Sequence, residues 1–150
     1  MEQMAAMLAI APLHHFLGLT LVEVTSRRVV VTMGVTDAAL NSTGNLHGGS
    51  LATLIDVAAG SAAAVGSGFQ PGRETIVTAD LHVRYLGRPR GDVVRAEASV
   101  LRAGRQLVVV ECRVLDGDRV IATADFSSMI VPLRQPLRQT ATPRDSDPDL

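Results

Sequence analysis

The sequence predicts an α+β fold in which a strongly curved antiparallel sheet wraps one long central helix. Three observations predict it. The stretch beginning at residue 49 or 50 and ending before Gly66 has no proline, and its side chains are mostly small or apolar, so it reads as one helix. Six other segments show the alternation and β-branched content of strands. No second long helix is available to cover them, so the strands must close on this one.

The elements follow in chain order. Residues 2–10 read as a short surface-packed helix that stops near Pro12, with His14 and His15 at a turn after it. These histidines are surface or packing residues, or else the lining of a ligand channel. Residues 19–24 and 28–35 form a hairpin through Thr25, Ser26 and Arg27. Residues 36–45 are an approach loop rich in Asn, Ser, Thr and Gly. In the helix that follows, Leu51, Leu54, Ile55, Ala58, Ala59 and Ala62 recur at three and four, a broad stripe that predicts a largely buried element. Asp56 lies within this run, and a buried carboxylate costs several kcal/mol unless it is paired. After a glycine-rich loop, residues 74–86 alternate Val77, Ala79, Leu81, Val83 and Tyr85 against Thr78, Asp80, His82 and Arg84. Regular alternation turns Thr78 away from the helix, and only a bulge or a subunit junction would bring it back. Residues 92–102, 106–115 and 119–130 complete the sheet, with turns at Ala103–Gly104 and Asp116–Gly117. Residues 132–150 hold four of the seven prolines and alternating charges, which predicts a flexible tail after a domain of residues 1–131.

Bulk composition narrows the function. A chain of 150 residues is one domain, and a net charge of -1 argues against a general nucleic-acid or anionic-membrane surface. The single cysteine, Cys112, allows no internal disulfide or thiolate-rich metal site and reads as a core residue. Glu2 sits where a signal peptide carries a basic residue, and no segment is expected to reach the roughly 18 apolar residues of a membrane span. A cytoplasmic setting is expected. No serine fits a nucleophile elbow.

The residues Asn41, Gly44, His47, Gly48, Gly49 and Asp56 form the pattern N-x2-G-x2-H-G-G-x6-D. This pattern, with TADLHVRYLGRP at 78–89 and the Gly104–Arg105 turn, resembles the hotdog-fold acyl-CoA thioesterases, specifically the phenylacetate-pathway (PaaI-like) group. The resemblance covers about residues 14–131. It implies a hotdog domain, a homodimer with one continuous sheet and often a dimer of dimers, and an acyl-CoA substrate with no metal or bound cofactor.

It also implies roles. Asp56 matches the nucleophile or general base, and Gly48 the residue whose N–H polarises the thioester carbonyl. Asn41 and His47 match the polar pair that orders the loop, and Thr78 a position that places water beside the carboxylate. Thioester hydrolysis needs a nucleophile or activated water and a donor aimed at the developing oxyanion, and a helix N-terminus supplies the second. The bland readings are a structural carboxylate at Asp56, a turn cap at His47 and an ordinary turn residue at Asn41. Arg88, Arg90 and Arg105 are either solvated or hold the CoA phosphates. The leading expectation is hydrolysis of aryl- or medium-chain acyl-CoA. The alternatives are a hotdog dehydratase or hydratase, and a non-catalytic acyl-CoA binder. Because Gly48 and Asp56 lie eight residues apart, the site is expected to be shared between two subunits.

Overall fold

In the computed structural model, residue 8 and residues 10–133 are described. The order is α1 (Pro12–Phe16), β1 (Thr20–Val24), β2 (Arg28–Gly34), a 3-10 turn (Asp37–Ala39), α2 (Gly48–Gly66), β3 (Glu74–Tyr85), β4 (Val93–Ala103), β5 (Leu107–Asp116) and β6 (Arg119–Pro132). The six strands form one sheet in the order β1-β2-β4-β5-β6-β3, with every neighbouring pair antiparallel. The sheet wraps α2, as the sequence predicts. The expected helix at 2–10 lies mostly outside the described residues, and so does the expected tail from residue 134 onward.

The core is the predicted stripe of α2 against the concave face of the sheet. Leu51, Leu54, Ile55, Ala58, Ala59 and Ala62 are all buried, and they meet Val29, Val31, Met33, Val94, Val110, Val114 and Phe126. Burying a Leu or Ile side chain contributes about 1.5–3 kcal/mol, so Leu54 and Ile55, both fully buried, anchor the helix. The alanines on α2 let the sheet approach closely. The approach is tightest at the C-terminal end, where a Cβ on Gly66 would lie 2.6 Å from Val100 Cγ2.

Several expectations are corrected. Pro12 opens a further short helix just after the expected one ends, because proline at the first helical position lacks only an N–H that has no helical acceptor there. His14 and His15 therefore lie in the last turn of α1, not in a loop after a helix. Helix α2 starts at Gly48, one or two residues early, because the His47 side chain caps it. Strand β6 runs to Pro132, past the expected end at 130, with Pro132 opposite Glu74 and the Leu133 N–H donating to Arg73 O. By length and composition α2 does reach a membrane span's requirements, with 19 residues and a mean hydropathy of 1.4. Its apolar stripe is consumed by the sheet instead.

Candidate functional site

The loop before α2 is built by Asn41. Its Oδ1 accepts from the Thr43 N–H at 3.0 Å, the Thr43 hydroxyl at 2.8 Å and the Asn45 N–H at 3.1 Å. This is the Asx-turn chemistry that short amides supply to loops. Gly44, at φ 73°, takes the left-handed conformation that lets the chain return. The loop delivers His47 as N-cap, where His47 Nδ1 accepts from the Gly49 N–H at 2.8 Å. A neutral ring in this arrangement carries its hydrogen on Nε2. Gly49 has to be small here, since a Cβ would lie 3.0 Å from His47 Nδ1.

With His47 serving Gly49 and the Leu51 N–H donating to His47 O, no acceptor among the described residues holds the Gly48 N–H. A free N–H at a helix start faces the positive end of the helix dipole outward. The Gly48 carbonyl is held by Tyr85, whose hydroxyl donates to it at 3.0 Å. Residue-by-residue reading missed Tyr85, which it grouped with the apolar residues of β3.

Asp56 stands two turns into α2, half-exposed, on the face turned away from the sheet core. It is not a buried charge, which corrects the expectation that the run around it would enclose it. The Thr78 hydroxyl donates to Asp56 Oδ1 at 2.8 Å. Strand β3 achieves this with a bulge. Thr78 pairs with Ser128 and Asp80 with Ser127, so Ala79 is an extra residue without a partner. The bulge reverses the parity of the strand. Ile76 and Thr78 face the helix before it, and Leu81, Val83 and Tyr85 face the helix after it. Val77 is left on the outer surface, 48% exposed, contrary to the regular alternation. His82 and Arg84 also point outward, where Arg84 donates to Asp125 Oδ2 at 2.9 Å.

Beside the Asp56–Thr78 pair lies a cavity of about 590 Å3, within the size range of small-molecule sites. Its walls are mainly apolar, from Leu8, Val24, Val57, Val65, Phe69 and Ile76, with Gly60 and Ala64 continuing the Asp56 face of α2. His14 also lines it and bonds Leu8 O through Nδ1 at 3.2 Å, so the channel-lining alternative for this histidine matches its position.

The three candidate arginines are not brought together. Arg88 and Arg90 follow Tyr85, near the β5–β6 turn, where Asp116 accepts from the Arg90 and Gly91 N–H groups and from Arg119. Arg105 lies at the β4–β5 turn, at the other end of β5, beside Arg102 in a smaller cavity. Ten strand residues separate the two ends by about 30 Å. Cys112 is buried in β5 and its thiol is pushed up to about 12, first by burial and then by the charge of Glu97. It is a core residue, as expected.

Comparisons with known proteins agree with this architecture. A profile of the thioesterase superfamily matches residues 43–123, more than half of the chain. A candidate esterase from Caenorhabditis elegans is 40% identical over 92 residues, covering 61% of this chain and 52% of its own length. Another from Pseudomonas aeruginosa is 31% identical over 99 residues, covering 65% and 72%. A third, from Halobacterium salinarum, is 45% identical over 73 residues, covering 48% and 46%. The chain thus spans about half the length of the first and third of these relatives. Among solved structures, a thioesterase from Haemophilus influenzae superposes with a TM-score of 0.79 at 18% identity, covering 89% of this chain and 92% of that one. A thioesterase family protein from Silicibacter pomeroyi gives 0.77 at 26% identity, covering 87% and 97%. Helix, sheet order and family profile lead to one conclusion: the chain belongs to the thioesterase superfamily and has its hotdog fold.

Proposed function

We propose that this chain hydrolyses acyl-CoA thioesters with an aryl- or medium-chain acyl group to the free acid and CoA. The observation that carries the reading is a single arrangement: a carboxylate oriented by a hydroxyl, at the mouth of an apolar cavity, on the helix whose first N–H is free. Thr78 occupies Asp56 Oδ1 and leaves Oδ2 to act. In the water route, Oδ2 takes a proton from water as the hydroxide oxygen bonds the thioester carbon. The carbonyl oxygen becomes an oxyanion facing the Gly48 N–H, and its collapse breaks the C–S bond and releases the CoA thiolate. In the nucleophile route, Oδ2 itself bonds that carbon, collapse breaks the C–S bond to release the CoA thiolate and leave an anhydride, and water then cleaves the anhydride. Label in the Asp56 carboxylate after a single turnover in 18O-water identifies the nucleophile route, through attack of water on the Asp56 carboxyl carbon of the anhydride.

The site is shared between two copies in this reading. Eight residues of α2 place Gly48 and Asp56 about 12 Å apart along the helix axis, too far for one thioester to meet both. Strand β3 is an edge strand of 12 residues, and so long a free edge favours pairing with a second copy across a two-fold axis. Each Gly48 would then serve the partner's carboxylate. Arg88 and Arg90, or Arg105 with Arg102, are candidate holders of the CoA phosphates from opposite ends of β5. A panel of acyl-CoAs assayed for thiol release tests the activity. Asp56→Asn should nearly abolish release while leaving the fold and the oligomer intact, and near-normal turnover by that folded variant would end the proposal. Mixing Asp56→Ala chains with chains disabled in the His47–Gly48 loop tests the sharing. About half of wild-type activity should return in the heterodimer, and no recovery would mean a site complete in each chain.

A further inference from the structure

Helix α2 contains a glycine that its own packing does not explain. Gly66 is required, because a Cβ there would drive into Val100. Gly60 differs: a Cβ built on it meets nothing within 4 Å, and its φ is not in the left-handed region. It lies mid-helix, where glycine destabilises a helix relative to alanine. Its position explains what the vacancy serves. Gly60 is one turn beyond Asp56 on the same face and lines the cavity with Ala64, Phe69 and Ile76. One turn is about 5.4 Å of helix, a span covered by roughly four carbon–carbon bonds of about 1.5 Å. An acyl group whose carbonyl carbon is within reach of Asp56, and whose chain enters the cavity, passes Gly60 about four carbons beyond its carbonyl.

We propose that Gly60 is a specificity-determining position, whose missing side chain leaves room for acyl bulk one helical turn beyond the reacting carbon. The inference rests on the acyl-CoA reading of this site and adds to it the residue that sets the acyl width. An alanine methyl narrows the cavity there, and a valine closes most of it, so the penalty grows with the bulk of the acyl group and is least for an acyl group too short to reach. Overpacking of this kind costs enough to reduce affinity about tenfold or more.

The test uses CoA thioethers, which have no carbonyl to hydrolyse: S-methyl-CoA, S-hexyl-CoA and S-(2-phenylethyl)-CoA, titrated calorimetrically into wild type, Gly60→Ala and Gly60→Val. The expected result is that the phenylethyl-to-methyl affinity ratio falls about tenfold or more in Gly60→Val, and less in Gly60→Ala. Gly60→Ala should also melt about 2–4 °C higher, because the helix gains propensity and meets no obstacle. A uniform loss for all three thioethers, no change for any, or no binding by the wild type would overturn the proposal. So would a lower melting temperature or an altered oligomeric state in Gly60→Ala, which would mean that another chain packs on that face. Acyl-CoA hydrolysis by the same wild type is read separately. If hydrolysis is absent but the thioethers show the expected ratio, the hydrolase reading falls and the role of Gly60 stands. If hydrolysis is present and the ratio does not move, the reverse holds.

Discussion

Replacing Thr78 by valine keeps the shape of the side chain and removes one hydrogen bond, the 2.8 Å donation to Asp56 Oδ1. Two magnitudes are at stake, and they differ because water has different access in the two states. In the free protein Thr78 is exposed and Asp56 half-exposed, so water can replace the lost donor. The stability change should stay below about 1 kcal/mol. On the proposed reading the substrate covers the pair during turnover, and a hydrogen bond to a charged group then contributes about 1.5–3 kcal/mol. If that bond holds the carboxylate as the reaction proceeds, kcat/KM should fall about 10- to 150-fold. Thr78→Ser keeps the donor and should stay near wild type. The assays are thiol release from one acyl-CoA over a range of concentrations, and urea unfolding of each variant. A Thr78→Val enzyme within twofold of wild type would refute the reasoning. A Thr78→Ser enzyme as slow as Thr78→Val would also refute it, because the methyl group and not the hydroxyl would then matter.

Three further outcomes follow from the fold. Gly49→Ala pushes a Cβ against His47 Nδ1 and should cost about 1 kcal/mol through the lost N-cap, read as a lower urea midpoint with lower activity. Gly66→Ala should destabilise by about 1–3 kcal/mol through its clash with Val100, and adding Val100→Ala should recover much of that; additive losses in the double variant would contradict the clash. Cys112, buried and with its thiol raised to about 12, should resist thiol reagents in native protein at neutral pH and react only on unfolding; rapid labelling of native protein would disprove the buried assignment.

How much of this was legible in the sequence depends on whether a feature is periodic. The core face of α2 was readable because its spacing of three and four is enforced by the helix itself, and all six named positions are buried. The motif residues were readable as a set, since Asn41, His47 and the glycines occupy one short loop whose chemistry is local. The face carrying Asp56 was misjudged because a run of small apolar residues does not say how far around the helix the sheet reaches. The bulge in β3 has no signature of its own: TADLH alternates as well as a regular strand does. Only the misplaced Thr78 hinted at it. Tyr85 was missed, and the separation of Arg105 from Arg88 and Arg90 was not legible, for a related reason: strand pairing sets which ends of the sheet come together, and single strands do not encode it.

The bulge also explains why one strand can hold α2 at both Asp56 and Gly48. A regular strand turns residues of one parity toward the helix. Thr78 is even and Tyr85 is odd, so without an extra residue one of them would point to solvent. Ala79 changes the parity between them. Strand β3 then holds α2 at two places, Thr78 on Asp56 and Tyr85 on the Gly48 carbonyl. The spans do not match on their own: seven strand residues cover about 23 Å, whereas eight helical residues cover about 12 Å. The long tyrosine side chain reaches back over part of that difference. The strand that fixes the carboxylate is therefore the same one that fixes the carbonyl of the residue offering the free N–H. It is also the sheet's edge, so a second copy pairing with β3 would act on both of these contacts at once.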